Sequence, residues 1–278
     1  MILKPVRAGA ALALSDRDAN APHALRDKGA VKKALSDEVK ELGRLQDRLF
    51  ADKQHAVLVV LQGRDASGKD GAIKNVFDGC NPQGVRVASF GVPTSLELSH
   101  DFLWRVHAVV PPRGYIGIWN RSHYEDVLVA RVKRLVPRAV WSQRYEQINS
   151  FEKMLAANGV TILKFFLHVS RAEQKERLID RLEDPTENWK FRAGDLDDRR
   201  RWTAFTSAYR DALKLCSTKW APWYVVPADR KKTRDLLVAR VVVETLERMA
   251  PKFPKVNPEV LAIAKRWERE IKTRRSDE

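Results

Sequence analysis

Lys69 closes the run Gly63-Arg64-Asp65-Ala66-Ser67-Gly68-Lys69-Asp70, and the residue types in that run are suited to holding a phosphate. Gly63 and Gly68 let backbone N–H groups turn inward around phosphate oxygens, Ala66 and Ser67 add theirs, and Lys69 supplies a mobile cation. An apolar run, Ala56 to Leu61, precedes the loop, and a helix-compatible segment, Ala72 to Phe77, follows it and presents its positive end. Strand, glycine-bounded loop, lysine and helix in that order make a phosphate-binding P-loop. One position departs from the usual pattern. Asp70 stands where most such loops place Ser or Thr to hold Mg²⁺, and Asp65 lies inside the loop. Two carboxylates facing bound phosphates repel them unless metal ions lie between, so the loop implies Mg²⁺.

A second group of reactive side chains, Asn120-Arg121-Ser122-His123-Tyr124-Glu125-Asp126, ends a later apolar strand. A P-loop enzyme commonly keeps a metal-binding carboxylate at that strand end. Asn120 is a weaker ligand, and Glu125 and Asp126, one turn later, are placed to supply the missing charge. Arg121 can bridge a donor and an acceptor phosphate and offset charge during transfer. Its alternative is a structural ion pair with Asp65 or Asp126. His123 offers either a covalent phosphohistidine or a plain hydrogen bond to its neighbours.

A third group, Arg177, Arg181, Trp189, Lys190 and Arg192, lies in a stretch from Arg171 to Arg201 that carries nine basic and nine acidic residues. This suits a helical flap that closes over phosphates and excludes water, which would otherwise take the phosphoryl group. Arg177 and Arg181 are four residues apart on one helix face, a spacing that grips successive phosphates. The alternative is an exposed helical hairpin with internal ion pairs.

The elements that must position these groups read as alternating helices and strands. Leu35, Val39, Leu42, Leu45 and Leu49 repeat at helical spacing within an amphipathic helix from Val31 to Lys53. Strands are expected at Ala56 to Leu61, around Val85 to Ser89, at Tyr115 to Trp119, Val160 to Val169 and Pro222 to Val226. Helices are expected at Leu96 to His107, Trp141 to Ala157, Arg171 to Arg181, about Leu196 to Leu215, Thr233 to Met249 and Val256 to Thr273. The fold class is α/β: a P-loop kinase-like three-layer α/β/α sandwich with a parallel central sheet and a helical lid at about residues 177–200. Residues 1–30 read as a flexible N-terminal arm, 31–254 as a single P-loop domain, and 255–278 as a C-terminal helix and tail. The site is expected at the carboxyl ends of the strands, where both motifs fall.

A formal net charge of +15 over 278 residues points to an anionic partner. From Arg113 to Arg144 there are seven basic residues against Glu125 and Asp126, so the positive field gathers beside the second motif. Arg131 and Lys133 in that stretch are candidate contacts for an extended phosphate chain, and an ordinary solvated helix face is the alternative for any one of them. Cys80 and Cys216 have no paired spacing, which suits unpaired thiols in a reducing cytoplasm. No apolar run is long enough to span a bilayer. The chain has no basic–aromatic interleaving for single strands and no helix-turn-helix or zinc pattern, so nucleic acid is not an expected partner.

Taken together the motifs resemble the family-2 polyphosphate kinases. The resemblance rests on Asp65 to Gly71, on Asn81 to Val87 with Phe90 to Thr94, and on Asn120 to Asp126. Arg181 to Pro185, Trp189 to Phe191, Asp195-Leu196 and Tyr224 to Pro227 extend it over roughly Leu35 to Pro254. It implies a reversible, Mg²⁺-dependent phosphotransferase (Mn²⁺ as an alternative) between inorganic polyphosphate and adenine nucleotides, other purines included, in a homodimer or homotetramer. By position, Asp65 resembles a metal-binding loop aspartate, with Asp126 as a second metal residue. Lys69 is similar to a phosphate-holding lysine, and Arg121 to the arginine after the strand. Glu125 joins them as a catalytic candidate. Arg177, Arg181 and Lys190 look like lid residues, and Phe77, Asn81 and Lys190 are candidate nucleotide contacts. Many members carry aspartate at the position of Asn120. Asparagine followed by Glu125 and Asp126 resembles the subgroup that phosphorylates both nucleoside monophosphates and diphosphates. The rival readings are an ATP-dependent P-loop kinase for a small molecule or nucleoside monophosphate, and a nucleic-acid-binding P-loop protein.

Overall fold

The computed structural model describes residues 3–191 and 193–276, so Arg192 of the expected lid lies outside the described residues. Strand β1 (Ala56–Gly63) is buried along its whole length, as an apolar strand flanked on both sides must be. Val57, Val59 and Leu61 enter one core and Ala56, Leu58 and Val60 another, the period-two alternation of a strand covered on both faces. With β2 (Val85–Ser89), β3 (Ile116–Asn120), β4 (Val160–His168) and β5 (Trp223–Pro227) it forms a parallel sheet of order β2-β3-β1-β4-β5. The register sets Leu61 beside Asn120 and Gly63 beside Leu167. The chain turns to opposite sides of the sheet on either side of β1, so the loop after β1 and the turn after β3 meet at a topological switch point.

Helix α1 (Lys28–Asp52) starts where the Asp27 carboxylate accepts the Ala30 N–H at 2.6 Å. It packs with α2 (Lys69–Val76) and the later helix Lys231–Met249 on one face of the sheet through Leu42, Leu49, Val76, Leu237 and Val241. On the other face lie α3 (Arg144–Ala157) and α6 (Trp202–Cys216), joined through Tyr145, Ile148, Phe166 and Tyr209. Between them in sequence come α4 (Arg171–Glu183) and α5 (Ala193–Arg200), which form the flap. α7 (Lys231–Met249) and α8 (Pro258–Ser276) complete the chain.

Three helices expected as continuous are broken. Leu96 to His107 divides into turns at Ser95–Leu98 and Trp104–His107, because Ser99 Oγ donates to the Leu96 carbonyl (2.7 Å) and the Asp101 carboxylate accepts the Leu103 N–H (2.9 Å). Trp141 to Ala157 divides at Ser142-Gln143. Leu196 to Leu215 divides at Arg201, whose guanidinium reaches the Val132 carbonyl at 3.1 Å, and this break separates the flap from the body. The N-terminal segment is docked rather than free. Val6 N–H donates to the Trp223 carbonyl (2.8 Å) and Ser217 Oγ to the Val6 carbonyl (2.6 Å), while Leu14, Ala19 and Leu25 are buried. The segment thereby covers backbone of β5, an edge strand that would otherwise lie open.

Candidate active site

The floor of the site is the loop between β1 and α2. A side chain at Gly63 would collide with Ser67 Oγ and the Leu167 carbonyl, and Gly68 sits at φ +91°, where a Cβ would also run into the Arg234 guanidinium. Two buried arginines hold the loop from behind. Arg177 donates to the Ala66 carbonyl at 2.9 Å and Arg234 to the Ser67 carbonyl at 3.3 Å. In a trans peptide C=O and N–H point opposite ways, so a held Ser67 carbonyl fixes the Gly68 N–H on the other side. Ser67 N–H itself closes a turn onto the Arg64 carbonyl (3.1 Å). Ala66 adopts φ +60°, a conformation that a non-glycine residue keeps only where its surroundings impose it.

Lys69 lies in this floor with its ammonium on the Gly63 (2.9 Å) and Arg64 (3.3 Å) carbonyls. Burial, joined by Arg121, lowers its pKa, and Asp65, Glu125 and Asp70 oppose that. Arg121 follows β3 at φ +63° and forms the wall. Its guanidinium pairs with Asp65 at 2.8 Å and approaches Glu125 at 3.9 Å. Burial would lower its pKa, but the two carboxylates outweigh burial and raise it. Burial pushes Glu125 above the ordinary carboxylate range against the pull of Arg121 and Lys69. Asn120 Nδ2 donates to Asp70 Oδ1 at 2.6 Å, so the two departures from the usual P-loop pattern touch each other. The carboxylate and its polar partner have exchanged places between loop and strand. Gly63, Arg64, Asp65, Arg121, Glu125 and Asp198 line one cleft.

Other expected site residues do not line the cleft. Asp126 accepts from Arg144 at 2.9 Å and does not line the cleft, because the turn directs it to the opposite side from Glu125. Arg131 pairs with Asp211 (2.6 Å) and stands over the Trp141 ring, and Lys133 pairs with Asp198 (2.8 Å). Arg177 spends its donors on the Ala66, Ala228 and Asp229 carbonyls and on Glu173, so it braces the loop from within. Arg181 faces Asp195 at 3.7 Å, and Lys190 is paired with Glu187 at 2.6 Å. Phe77 is packed in the core. Asn81 builds its own turn, accepting the Gln83 N–H at 3.0 Å. His123 is buried against Glu152, which shuts it away from any phosphate and removes the phosphohistidine reading.

Several residues at the site escaped the sequence reading. Arg64 is buried, stacked on Trp202 at 3.9 Å and bonded to Thr206 Oγ1 at 2.6 Å, while its Nε and one terminal nitrogen have no hydrogen-bond partner. Desolvation lowers its pKa to about 10. Gln174 donates to the Asp65 carbonyl (3.0 Å) and accepts from Arg199 of α5 (2.9 Å), which ties flap to floor. Arg64 stands inside the motif and was findable there. Gln174, Asp198 and Arg234 carried no local signal.

For a metal, Asp65 and Asp70 supply the carboxylates that stand on the loop. Among the described residues no cluster of three or more His, Cys, Asp or Glu is placed to hold an ion. One or two hard carboxylates with the remaining positions left to phosphate oxygens and water is the arrangement Mg²⁺ favours, so the donor set fits.

The chain was compared with known proteins. The model of the Polyphosphate kinase 2 family matches residues 25–254. An AMP/ADP-polyphosphate phosphotransferase of Meiothermus ruber is 57% identical over 227 residues, covering 82% of this chain and 85% of that one. An ADP-polyphosphate phosphotransferase of Rhodopseudomonas palustris is 44% identical over 236 residues, covering 81% and 82%. The crystal structure of a polyphosphate kinase 2 from Arthrobacter aurescens superposes with a TM-score of 0.88 at 36% identity, covering 95% of this chain and 98% of that one.

Proposed function

The chain belongs to the polyphosphate kinase 2 family, and on that footing we propose that it transfers the terminal phosphoryl group of inorganic polyphosphate to AMP and to ADP, with Mg²⁺ as its divalent cation. The observation that carries this reading is the meeting of Asp65, Arg121 and Glu125 at one P-loop cleft beside buried Lys69, in a chain 57% identical over 227 residues to an enzyme named for both acceptors.

An acceptor phosphate arrives with an ionised oxygen, since its second pKa is about 6. No proton has to be removed from the nucleophile. What the protein must supply is position and countercharge. The loop N–H groups and Lys69 hold the donor phosphates, and Arg121 exchanges its ion pair with Asp65 for contacts to the transferring group. Glu125 stays beside Arg121 and steers it, its charge disfavoured by burial and kept by the pull of Arg121 and Lys69. Asp65 and Asp70 would hold the metal, which when bound would supply countercharge to the phosphates. Gln174 and Arg199 link this floor to the flap, whose closure excludes water. The anhydride made and the anhydride broken are similar in energy, so the reaction runs both ways, with nucleotide synthesis from polyphosphate as the favoured direction. Unpaired Cys80 and Cys216 suit a reducing cytoplasm, and a homodimer or homotetramer is the assembly expected.

The test is incubation with Mg²⁺, long-chain polyphosphate and either AMP or ADP, with products separated by chromatography. ADP and then ATP from AMP is the expected result. Product from ADP alone would remove dual acceptor use, and no product from either would overturn the polyphosphate reading.

A further inference from the structure

Strand β4, buried along nearly its whole length, carries one lysine in its middle, and that lysine is buried. Lys164 Nζ donates to Glu152 Oε2 (2.5 Å), to Tyr124 Oη (2.8 Å) and to the Cys216 carbonyl (2.7 Å). Glu152, on α3, uses its other oxygen to take Tyr124 Oη at 3.0 Å and meets His123 Nε2 at 3.2 Å. All four side chains are at most 1% exposed. A buried ion pair of this kind adds little net stability, and apolar replacements of similar volume are often as stable or more so. Its place in the fold suggests another use. His123 and Tyr124 are consecutive residues of the short turn at His123–Asp126, which carries Glu125 and is separated from Arg121 only by its cap, Ser122.

We propose that the Lys164–Glu152 pair is a positioning device that grips the turn after β3 by two successive side chains and thereby sets Arg121 and Glu125 against the P-loop. The turn needs such a grip because Arg121 sits at φ +63°, outside the basin that an arginine prefers. From the cleft side Gln62 Nε2 donates to Ser122 Oγ (3.1 Å), and Ser122 Oγ accepts the Tyr124 N–H (3.2 Å). The turn is therefore held between a polar clamp at the floor and an ionic clamp in the core. Neither Lys164 nor Glu152 lines the cleft, so any effect on chemistry passes through Arg121 and Glu125.

The inference rests on the phosphotransferase reading, so the native enzyme is assayed first; absence of polyphosphate-dependent activity there would count against that reading and not against the clamp. The test is a double-mutant cycle between Lys164→Met and Arg121→Lys, with kcat, KM for polyphosphate and thermal midpoint measured for each. In the native background Lys164→Met is expected to lower kcat roughly tenfold with KM little changed. In the Arg121→Lys background it should lower kcat by less than about twofold, because the group it positions is already lost. Equal losses in both backgrounds would overturn the proposal, since a purely structural defect adds independently. Tyr124→Phe, which removes one hydroxyl, serves if Lys164→Met does not fold. It should lower kcat severalfold by the same coupled pattern, and unchanged kcat there would likewise overturn the clamp.

Discussion

The floor and the flap of this site are both rich in charge but are held by different physics. In the floor, Lys69, Arg177 and Arg234 are buried and bonded to backbone carbonyls of the loop and its neighbours. In the flap two of the pairs are open to water: Arg200 with Asp197 leaves 78% and 60% of the two side chains exposed, and Lys190 with Glu187 leaves 31% and 44%. Exposed pairs contribute about 0–1 kcal/mol each, whereas a buried charge robbed of its partner costs about 3–5 kcal/mol. The floor, together with the part of α4 that carries Gln174 and Arg177, is therefore rigid before phosphate arrives, and the outward-facing pairs of the flap part at little cost. That division suits a reaction in which binding must be preorganised and water excluded only afterwards.

The contrast can be broken at four points. Lys69→Met should lower kcat/KM by about a thousandfold or more, the scale of losing a preorganised charge contact to the transferring group. The thermal midpoint should hold, since burial already disfavours that ammonium. Arg177→Met comes next. With the Ala66 carbonyl released, KM for polyphosphate should rise by about tenfold to a hundredfold, although the Arg177 donors are engaged within the protein. Steady-state kinetics with varied polyphosphate checks both.

Glu125→Gln sharpens the contrast through pH. Burial raises the Glu125 carboxyl in the folded protein, so the native enzyme should gain activity as pH rises through a range above the ordinary carboxylate value. In Glu125→Gln that acid limb should disappear from the kcat/KM profile, with kcat reduced by roughly tenfold. An unaltered limb would assign it to another group. The smallest effect belongs to the flap: Asp197→Ala should shift unfolding by less than about 0.5 kcal/mol in denaturant titration. A shift of several kcal/mol would mean that the flap is as tightly built as the floor.

The loop, the five strands and the turn after β3 were legible because each is coded locally, by glycine spacing, by apolar runs and by a motif at a strand end. Helix continuity was less so: Ser99 and Asp101 interrupt one helix with side-chain bonds that apolar periodicity does not register. The basic stretch was legible as charge but not as contact. Arg131 and Lys133 find Asp211 and Asp198, acids far along the chain that only the folded sheet brings near. Glu125 and Asp126 are adjacent in sequence, yet the turn sends one to the cleft and the other to Arg144. Arg234 and Lys164 are the deepest misses, since a cation in a helix or strand looks solvated until the tertiary structure buries it.

The identity of the phosphoryl donor is tested most directly with AMP as sole acceptor, polyphosphate and Mg²⁺ present, and hexokinase with glucose added to consume any ATP. AMP should disappear at the same rate with and without the trap. Loss of AMP turnover once ATP is removed would contradict the polyphosphate reading and make ATP the donor.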